Sequence, residues 1–172
     1  MNTGAEYRLK DLGITLPPAP KPLGAYVEAV RAGNLLFLSG ALPIADGTPR
    51  FQGRIGSELT IGNARAATRL ATLNALALAR KELGSLDKVT QLVRLTVYLV
   101  TTPEFREHPQ VADAASELLA DVFGREKASA RMVVGALSLP AGVSVVVELT
   151  LSVDTTPEQT SAAPTDNTYR QH

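Results

Sequence analysis

The chain has 172 residues, of which 45% are hydrophobic, and this is enough for one domain with a well-developed core. Its 17 basic and 17 acidic residues cancel, so we expect neither nucleic acid nor an anionic membrane as a partner. The chain has no cysteine and only two histidines, which excludes disulfides and argues against a multi-histidine metal site. It has no signal pattern and no apolar stretch approaching the roughly 20 residues of a membrane span, so we expect a soluble cytoplasmic protein.

The N-terminal residues predict a helix followed by an extended connector. Residues Ala5 to Leu12 have a helical pattern, and Gly13 is typical of the position after a helix end. Leu16 to Pro22 contains four prolines, which exclude regular helix or sheet in this stretch.

The rest of the chain alternates between predicted strands and helices. Apolar runs and period-two patterns predict strands at residues 26–30, 35–39, 89–100, 130–137 and 143–153. Apolar residues at spacings of three and four predict helices at residues 59–83 and 109–123. In the first of these helices the buried face is expected to include Ala66, Leu70, Leu73, Leu76 and Ala77. In the strand at 89–100, Val93 is expected to share a face with Leu95, Val97 and Leu99.

This order of elements predicts an α+β fold in which helices cover one face of an antiparallel-rich sheet. The other face of the sheet is only half polar, so we expect oligomerisation to cover it. We divide the chain into an N-terminal helix and Pro-rich connector (1–22), a single domain (23–154) and a tail (155–172). The tail has no apolar period and is predicted to be disordered.

One arginine lies inside an apolar, strand-like segment, Ser129-Ala-Arg131-Met-Val-Val-Gly135, which is followed by Leu139-Pro140. An always-charged guanidinium in such a segment needs an anionic partner, and its planar fork matches a carboxylate. That carboxylate belongs either to a structural Asp or Glu of the protein or to a ligand. Arg131 is therefore the strongest candidate for a ligand-binding residue.

Together with Ser39-Gly40-Ala-Leu-Pro43 and the stretch from Ala112 to Gly124, this segment resembles the Rid family. These are the YjgF-like proteins, once called endoribonuclease L-PSP, and the N-terminal helix is similar to that of one divergent subgroup. The resemblance covers about residues 5–153. It implies a chorismate-mutase-like fold, with a mixed sheet and two main helices on one face. It also implies a homotrimer with ligand clefts between subunits.

Many members of this family hydrolyse enamines and imines. The resemblance implies that Arg131 binds the carboxylate of a 2-imino or 2-keto acid. It also implies that Gly40, Tyr26 and Ser116 contact the substrate, and that neither a metal nor an organic cofactor is used. Considered by residue type alone, Gly40 fits a turn equally well and Tyr26 a half-buried strand position. Ser116 fits a solvent-facing helix position better than a ligand contact.

The last strand departs from the family pattern where a water-activating group is expected. Typical deaminating members of the family that this chain resembles carry Glu-x-Glu at this position, whereas this chain has Val146-Val147-Glu148. Valine cannot orient a water or relay its proton. Glu148 lies on the same face of the strand, roughly 6.5–7 Å further along, so it would act through a water chain or on a shifted substrate. Glu148 is therefore the second candidate catalytic residue, beside Arg131.

Two functions fit these residues. The first is a Rid-type enamine/imine deaminase that hydrolyses 2-imino acids to 2-keto acids and ammonia. The second is a non-catalytic trimer that binds small 2-keto or related carboxylates, an alternative that Val146 favours. Neutral overall charge and few aromatic residues argue against RNA cleavage, and the sequence is silent on a chaperone role.

Overall fold

Helix α1 (Ala5–Asp11) begins the part of the chain that the computed structural model describes, residues 4–155. The helix buries Ala5 and Leu9 in the same core as the rest of the fold. The connector from Leu16 to Pro22 forms neither helix nor strand, as predicted. The predicted disordered tail lies outside the described residues from residue 156 onward, and the proposed division of the chain into segments stays a prediction.

A five-stranded mixed sheet forms the centre of the fold, with the strand order β1-β2-β7-β5-β6. Its strands are β1 (Ala29–Ala32), β2 (Leu35–Leu38), β5 (Val89–Val100), β6 (Ala130–Ala136) and β7 (Val145–Val153). All neighbouring strands run antiparallel except β5 and β6, which are parallel. A separate two-stranded sheet is formed by β3 (Ile44–Ala45) and β4 (Thr48–Pro49). Strands β1 and β6 are the two edges of the main sheet.

Two long helices, α2 (Ile61–Leu83) and α3 (His108–Phe123), cover one face of this sheet. Helix α2 begins at a capping box, in which the Thr60 hydroxyl accepts from the Asn63 N–H and the Asn63 side chain accepts from the Thr60 N–H. It ends at Gly84, whose φ of +77° is readily adopted only by glycine. The α+β fold predicted from the sequence is confirmed.

The buried face of α2 matches the prediction at Leu76 and Ala77 and differs from it at the other three positions. Ala66 is exposed and Leu70 and Leu73 are half-buried, whereas Ala64 and Ala67 have no exposed surface. The cause lies in the composition of the helix. Because alanine is common all around it, periodicity of the apolar residues cannot decide which alanines face the sheet.

Strand residues alternate between the helix-covered face and the open face. Leu95, Val97 and Leu99 of β5 are fully buried on the helix-covered face, as predicted. Val93 is 38% exposed instead, because the pairing of β5 with β7 shifts register between residues 92 and 94. Such a bulge breaks the period-two alternation that the sequence pattern assumes.

The face of the sheet that no helix covers exposes apolar side chains. Val30 and Phe37 lie on this face at one end of the sheet and are 52% and 43% exposed. Met132 and Val134 lie on it at the other end and are 46% and 37% exposed. Polar residues of β5 and β7 lie between the two pairs, so the open face is half apolar and half polar.

Candidate functional site

Arg131 lies on the edge strand β6, opposite Leu95 of β5, on the helix-covered face of the sheet. Its Nη1 donates to Asp113 Oδ1 at 2.7 Å and to Ser116 Oγ at 3.0 Å. Asp113 and Ser116 are three residues apart on α3, and this spacing presents both side chains to β6. The arginine thus has a carboxylate partner within the protein, and Asp113 is a member of the site that the sequence analysis missed.

This ion pair leaves half of the guanidinium available. Nη1 uses both of its hydrogens on Asp113 and Ser116, while Nη2 and Nε have no acceptor among residues 4–155. Nη2 and Nε form one side of the fork, which binds a carboxylate through two parallel hydrogen bonds. The Arg131 side chain is 27% exposed and that of Asp113 is 45% exposed. Asp113 therefore orients the arginine without enclosing it.

A cavity of about 510 Å³ opens elsewhere in the fold, near the end of β2 and the start of β7. Its walls include Tyr26, Ser39, Gly40, Tyr98, Leu139 and Val146. Apolar atoms dominate this lining, as is common for small-molecule sites. Two of the predicted substrate-binding residues, Tyr26 and Gly40, are therefore neighbours in one cavity.

Gly40 is required for space rather than for an unusual backbone conformation. It is not among the glycines with positive φ, so the alternative of a turn glycine does not explain it. A Cβ at this position would lie 2.8 Å from Val146 Cγ1, which is closer than carbon atoms pack. Within residues 4–155, the Gly40 backbone N–H has no acceptor. A ligand in the cavity can therefore approach this main-chain donor closely.

Tyr26 lies before β1 rather than inside it, so the predicted strand at 26–30 is wrong for its first three residues. Tyr26 is 47% exposed. The hydroxyl accepts a hydrogen bond from the backbone N–H of Leu23 at 3.1 Å. This bond stabilises a turn beside the cavity. Tyr26 is therefore not the half-buried strand aromatic of the alternative interpretation.

Val146 forms part of the cavity wall, and Glu148 does not. Tyr98 lies opposite Val146 in the β5–β7 pairing and also lines the cavity. Its hydroxyl donates to Glu148 Oε2 at 3.1 Å. Burial, followed by the hydrogen bond to the Glu148 carboxylate and its charge, raises the pKa of Tyr98 above its usual value. Glu148 thus reaches the cavity through Tyr98, a residue that the sequence did not identify as part of the site.

Within one chain, the cavity is separate from Arg131 and its partners Asp113 and Ser116. Arg131 is on the helix-covered face, whereas Tyr98 and Val146 are on the open face. Along β6, Arg131 comes three residues before Val134, the partner of Tyr98, which is roughly 10 Å of strand. Ser116 accompanies Arg131 and not Gly40 and Tyr26. The predicted site residues therefore form two groups.

Metal-ligating side chains do not cluster in the described part of the chain. Among residues 4–155, no three His, Cys, Asp or Glu side chains are grouped so that they could hold a metal ion. No helix in the same range combines the length and the apolar character needed to cross a membrane.

Comparison with known proteins identifies the family. Residues 6–152 match the family described as "YjgF/chorismate mutase-like, putative endoribonuclease". Because this match spans most of the chain, the protein belongs to that family. The family resemblance predicted from the Arg131 segment is confirmed, together with the chorismate-mutase-like fold.

Individual relatives agree with this assignment. Protein TCP17 of Trypanosoma cruzi is 39% identical over 141 residues, which are 81% of this chain and 88% of that protein. The 2-iminobutanoate/2-iminopropanoate deaminase of Dermatophagoides farinae is 27% identical over 78% of this chain and 91% of its own length. A crystal structure from Shewanella oneidensis MR-1, given the same endoribonuclease description, superposes with a TM-score of 0.84 at 33% identity. It covers 88% of this chain and 100% of the Shewanella chain.

Proposed function

We propose that this protein is an enamine/imine deaminase that hydrolyses 2-imino acids to 2-keto acids and ammonia. The observation that carries the proposal is the open Nη2 and Nε side of Arg131, oriented by Asp113 and Ser116. A small carboxylate is the ligand that such a fork recognises best. The relative from Dermatophagoides farinae, named a 2-iminobutanoate/2-iminopropanoate deaminase, supports the reaction class.

Hydrolysis begins with the substrate carboxylate on Arg131, which fixes the position of the adjacent C2 atom. The oxygen of a water molecule attacks C2 of the protonated C=N group, and the C=N π electrons move to nitrogen. One proton of the water is removed and one proton is delivered to the nitrogen. The hydroxyl group now on C2 loses its proton as the C2–oxygen bond becomes a carbonyl and ammonia leaves, so that one protonated imino acid and one water give one keto acid, one ammonia and one proton.

The proton transfers need a titratable group near the cavity, and Val146 cannot supply one. We assign this role to the Tyr98–Glu148 pair, in which the tyrosine hydroxyl already donates to the carboxylate at 3.1 Å. Tyr98 accepts the proton of the attacking water as its own proton passes to Glu148. Glu148 is the final acceptor in this sequence, and Tyr98 closes the gap between it and the cavity.

Because Arg131 and the cavity lie on different faces of one protomer, we propose that each complete site forms between two protomers of a homotrimer. Arg131 lies on an edge strand, where it is available to a neighbouring molecule. The open sheet face, with Phe37 and Met132 exposed, supplies apolar surface for the assembly. Arg131 and Ser116 of one protomer would then face Tyr26, Gly40 and the Tyr98–Glu148 pair of the next.

The decay of 2-iminopropanoate, generated in situ at fixed pH, tests the activity. We expect the protein to accelerate decay, and Arg131→Ala to abolish the acceleration because the carboxylate loses its anchor. Arg131→Lys restores only part of it, since an ammonium cannot form the paired hydrogen bonds. The matched control is Arg69→Ala, which removes an exposed arginine of α2 and is expected to leave the rate unchanged.

The same assay tests the proton relay. We expect Tyr98→Phe and Glu148→Gln each to lower kcat by about 10²-fold or more, with a smaller effect on KM. Decay equal to that in buffer, combined with 2-ketobutyrate binding that Arg131→Ala abolishes, would contradict the deaminase. That outcome selects the non-catalytic carboxylate-binding protein instead.

A further inference from the structure

The anchor for the substrate carboxylate carries a negative charge beside it. Asp113 Oδ1 accepts from Arg131 Nη1 at 2.7 Å, while Asp113 Oδ2 has no donor within residues 4–155. The Asp113 side chain is 45% exposed and that of Arg131 is 27% exposed, so a ligand can reach both. An incoming molecule can therefore contact both the Nη2 and Nε side of Arg131 and the carboxylate that is hydrogen-bonded to its Nη1.

This arrangement distinguishes two ligands that share a carboxylate. A protonated 2-imino acid has a cationic nitrogen with N–H donors on the carbon adjacent to the carboxylate. A 2-keto acid has a carbonyl oxygen there, which carries partial negative charge and donates no hydrogen bond. Even in water-like surroundings, opposite unit charges about 4 Å apart shift a binding equilibrium by about fivefold.

We infer that Asp113 makes this a site for a carboxylate flanked by a cationic nitrogen, so that the iminium substrate binds in preference to the keto acid product. The inference rests on the proposed function, because Arg131 must first hold the ligand carboxylate. Asp113 then acts twice: Oδ1 orients Arg131, and Oδ2 accepts a hydrogen bond from the nitrogen at C2. After hydrolysis that donor is gone, and the carboxylate of Asp113 repels the carbonyl oxygen of the product.

Two probes with the same carbon skeleton test the inference without turnover. L-Alanine carries an ammonium at C2, and pyruvate carries a carbonyl at the same position. Their dissociation constants are measured by ligand-detected NMR titration of the full-length protein at neutral pH. We expect the wild type to bind alanine more tightly than pyruvate.

Asp113→Asn removes the charge while keeping the size of the side chain and an acceptor for Arg131. We expect it to weaken the binding of alanine about fivefold and to strengthen the binding of pyruvate. The ratio of the two dissociation constants then changes by about tenfold. Asp113→Glu retains the charge and is expected to keep the preference for alanine. The matched control is Glu117→Gln, which removes a carboxylate of the same helix that pairs with Arg65 at 2.7 Å instead. This control is expected to leave the ratio unchanged.

Different failures have different meanings. If the wild type shows no preference, if Asp113→Asn affects both probes equally, or if folded Asp113→Glu loses the preference, the inference is wrong while the anchor at Arg131 stands. If Arg131→Ala leaves the binding of both probes unchanged, the anchor is wrong and the proposed function fails with it. If neither probe binds the wild type, both are overturned.

Discussion

A phenol that donates a hydrogen bond to a carboxylate holds its proton to higher pH than a phenol in water. Tyr98 has this environment: burial contributes most to its raised pKa, and Glu148 adds to it. The unfolded chain releases the same proton near pH 10. This difference in pKa therefore stabilises the folded state, and the stabilisation is fully present below about pH 10. It is lost as the pH rises from there through the folded-state pKa of Tyr98.

This predicts how the pH dependence of stability changes when the hydroxyl is removed. Between pH 9 and 11, the free energy of unfolding of Tyr98→Phe should fall less steeply than that of the wild type, as measured by urea denaturation. Tyr7→Phe removes an exposed hydroxyl from α1 and serves as the control with the wild-type slope. Equal slopes for Tyr98→Phe and the wild type would contradict the assigned environment of Tyr98.

Residue chemistry explains which site residues could be predicted from the sequence. A guanidinium in an apolar strand needs a carboxylate, so Arg131 could be found without a structure. Its partner Asp113 could not be found in this way, because eighteen positions separate the two and only the packing of α3 on β6 brings them together. Tyr98 was missed for a related reason, since its contact with Glu148 depends on the register between β5 and β7.

At the scale of single elements, α2 shows how small side chains position a helix. Alanines with no exposed surface occur along its buried side. They are Ala64, Ala67, Ala71, Ala75 and Ala79. Because five positions on this side are alanines, the helix axis can approach the neighbouring sheet closely, and the contact leaves little room for added volume.

Replacing one of these alanines should therefore destabilise the protein although it adds apolar surface. We expect Ala71→Leu to lower the free energy of unfolding by about 1–3 kcal/mol through overpacking, as measured by denaturant titration. Ala66→Leu, at an exposed position of the same helix, should change it by less than about 0.5 kcal/mol. If the two variants were equally stable, the close packing of α2 would be refuted.

The elements themselves were largely predictable, and the errors occur where tertiary contacts override local pattern. Helix α3 and strand β6 match their predicted ranges within one residue at each end. The prediction fails at Val93, where a bulge depends on pairing with β7, and at Tyr26, where a turn beside the cavity replaces the strand. The predicted burial of Ala66 is wrong because a pattern of hydrophobicity does not distinguish one alanine from another.

For the whole molecule, the separation of the two groups of site residues has a consequence for assembly. Arg131 lies at one edge of the sheet and on one face, and the cavity near Gly40 and Val146 opens on the other. If the proposed trimer forms, its mass in solution is about 55 kDa, three times the 18.2 kDa of the chain. Light scattering after gel filtration measures this mass directly.

Mixed trimers then test whether one site uses two protomers. Arg131→Ala and Glu148→Gln are expected to inactivate the protein separately, and the two chains are coexpressed with different tags so that only mixed trimers are purified. In a cyclic trimer of either mixed composition, one cleft in about three combines an intact Arg131 with an intact Glu148 from the neighbouring protomer. We therefore expect 2-iminopropanoate turnover to recover to about one third of the wild-type kcat. If Arg131 and Glu148 of the same protomer formed the site, every site in a mixed trimer would carry one defect and no activity would return.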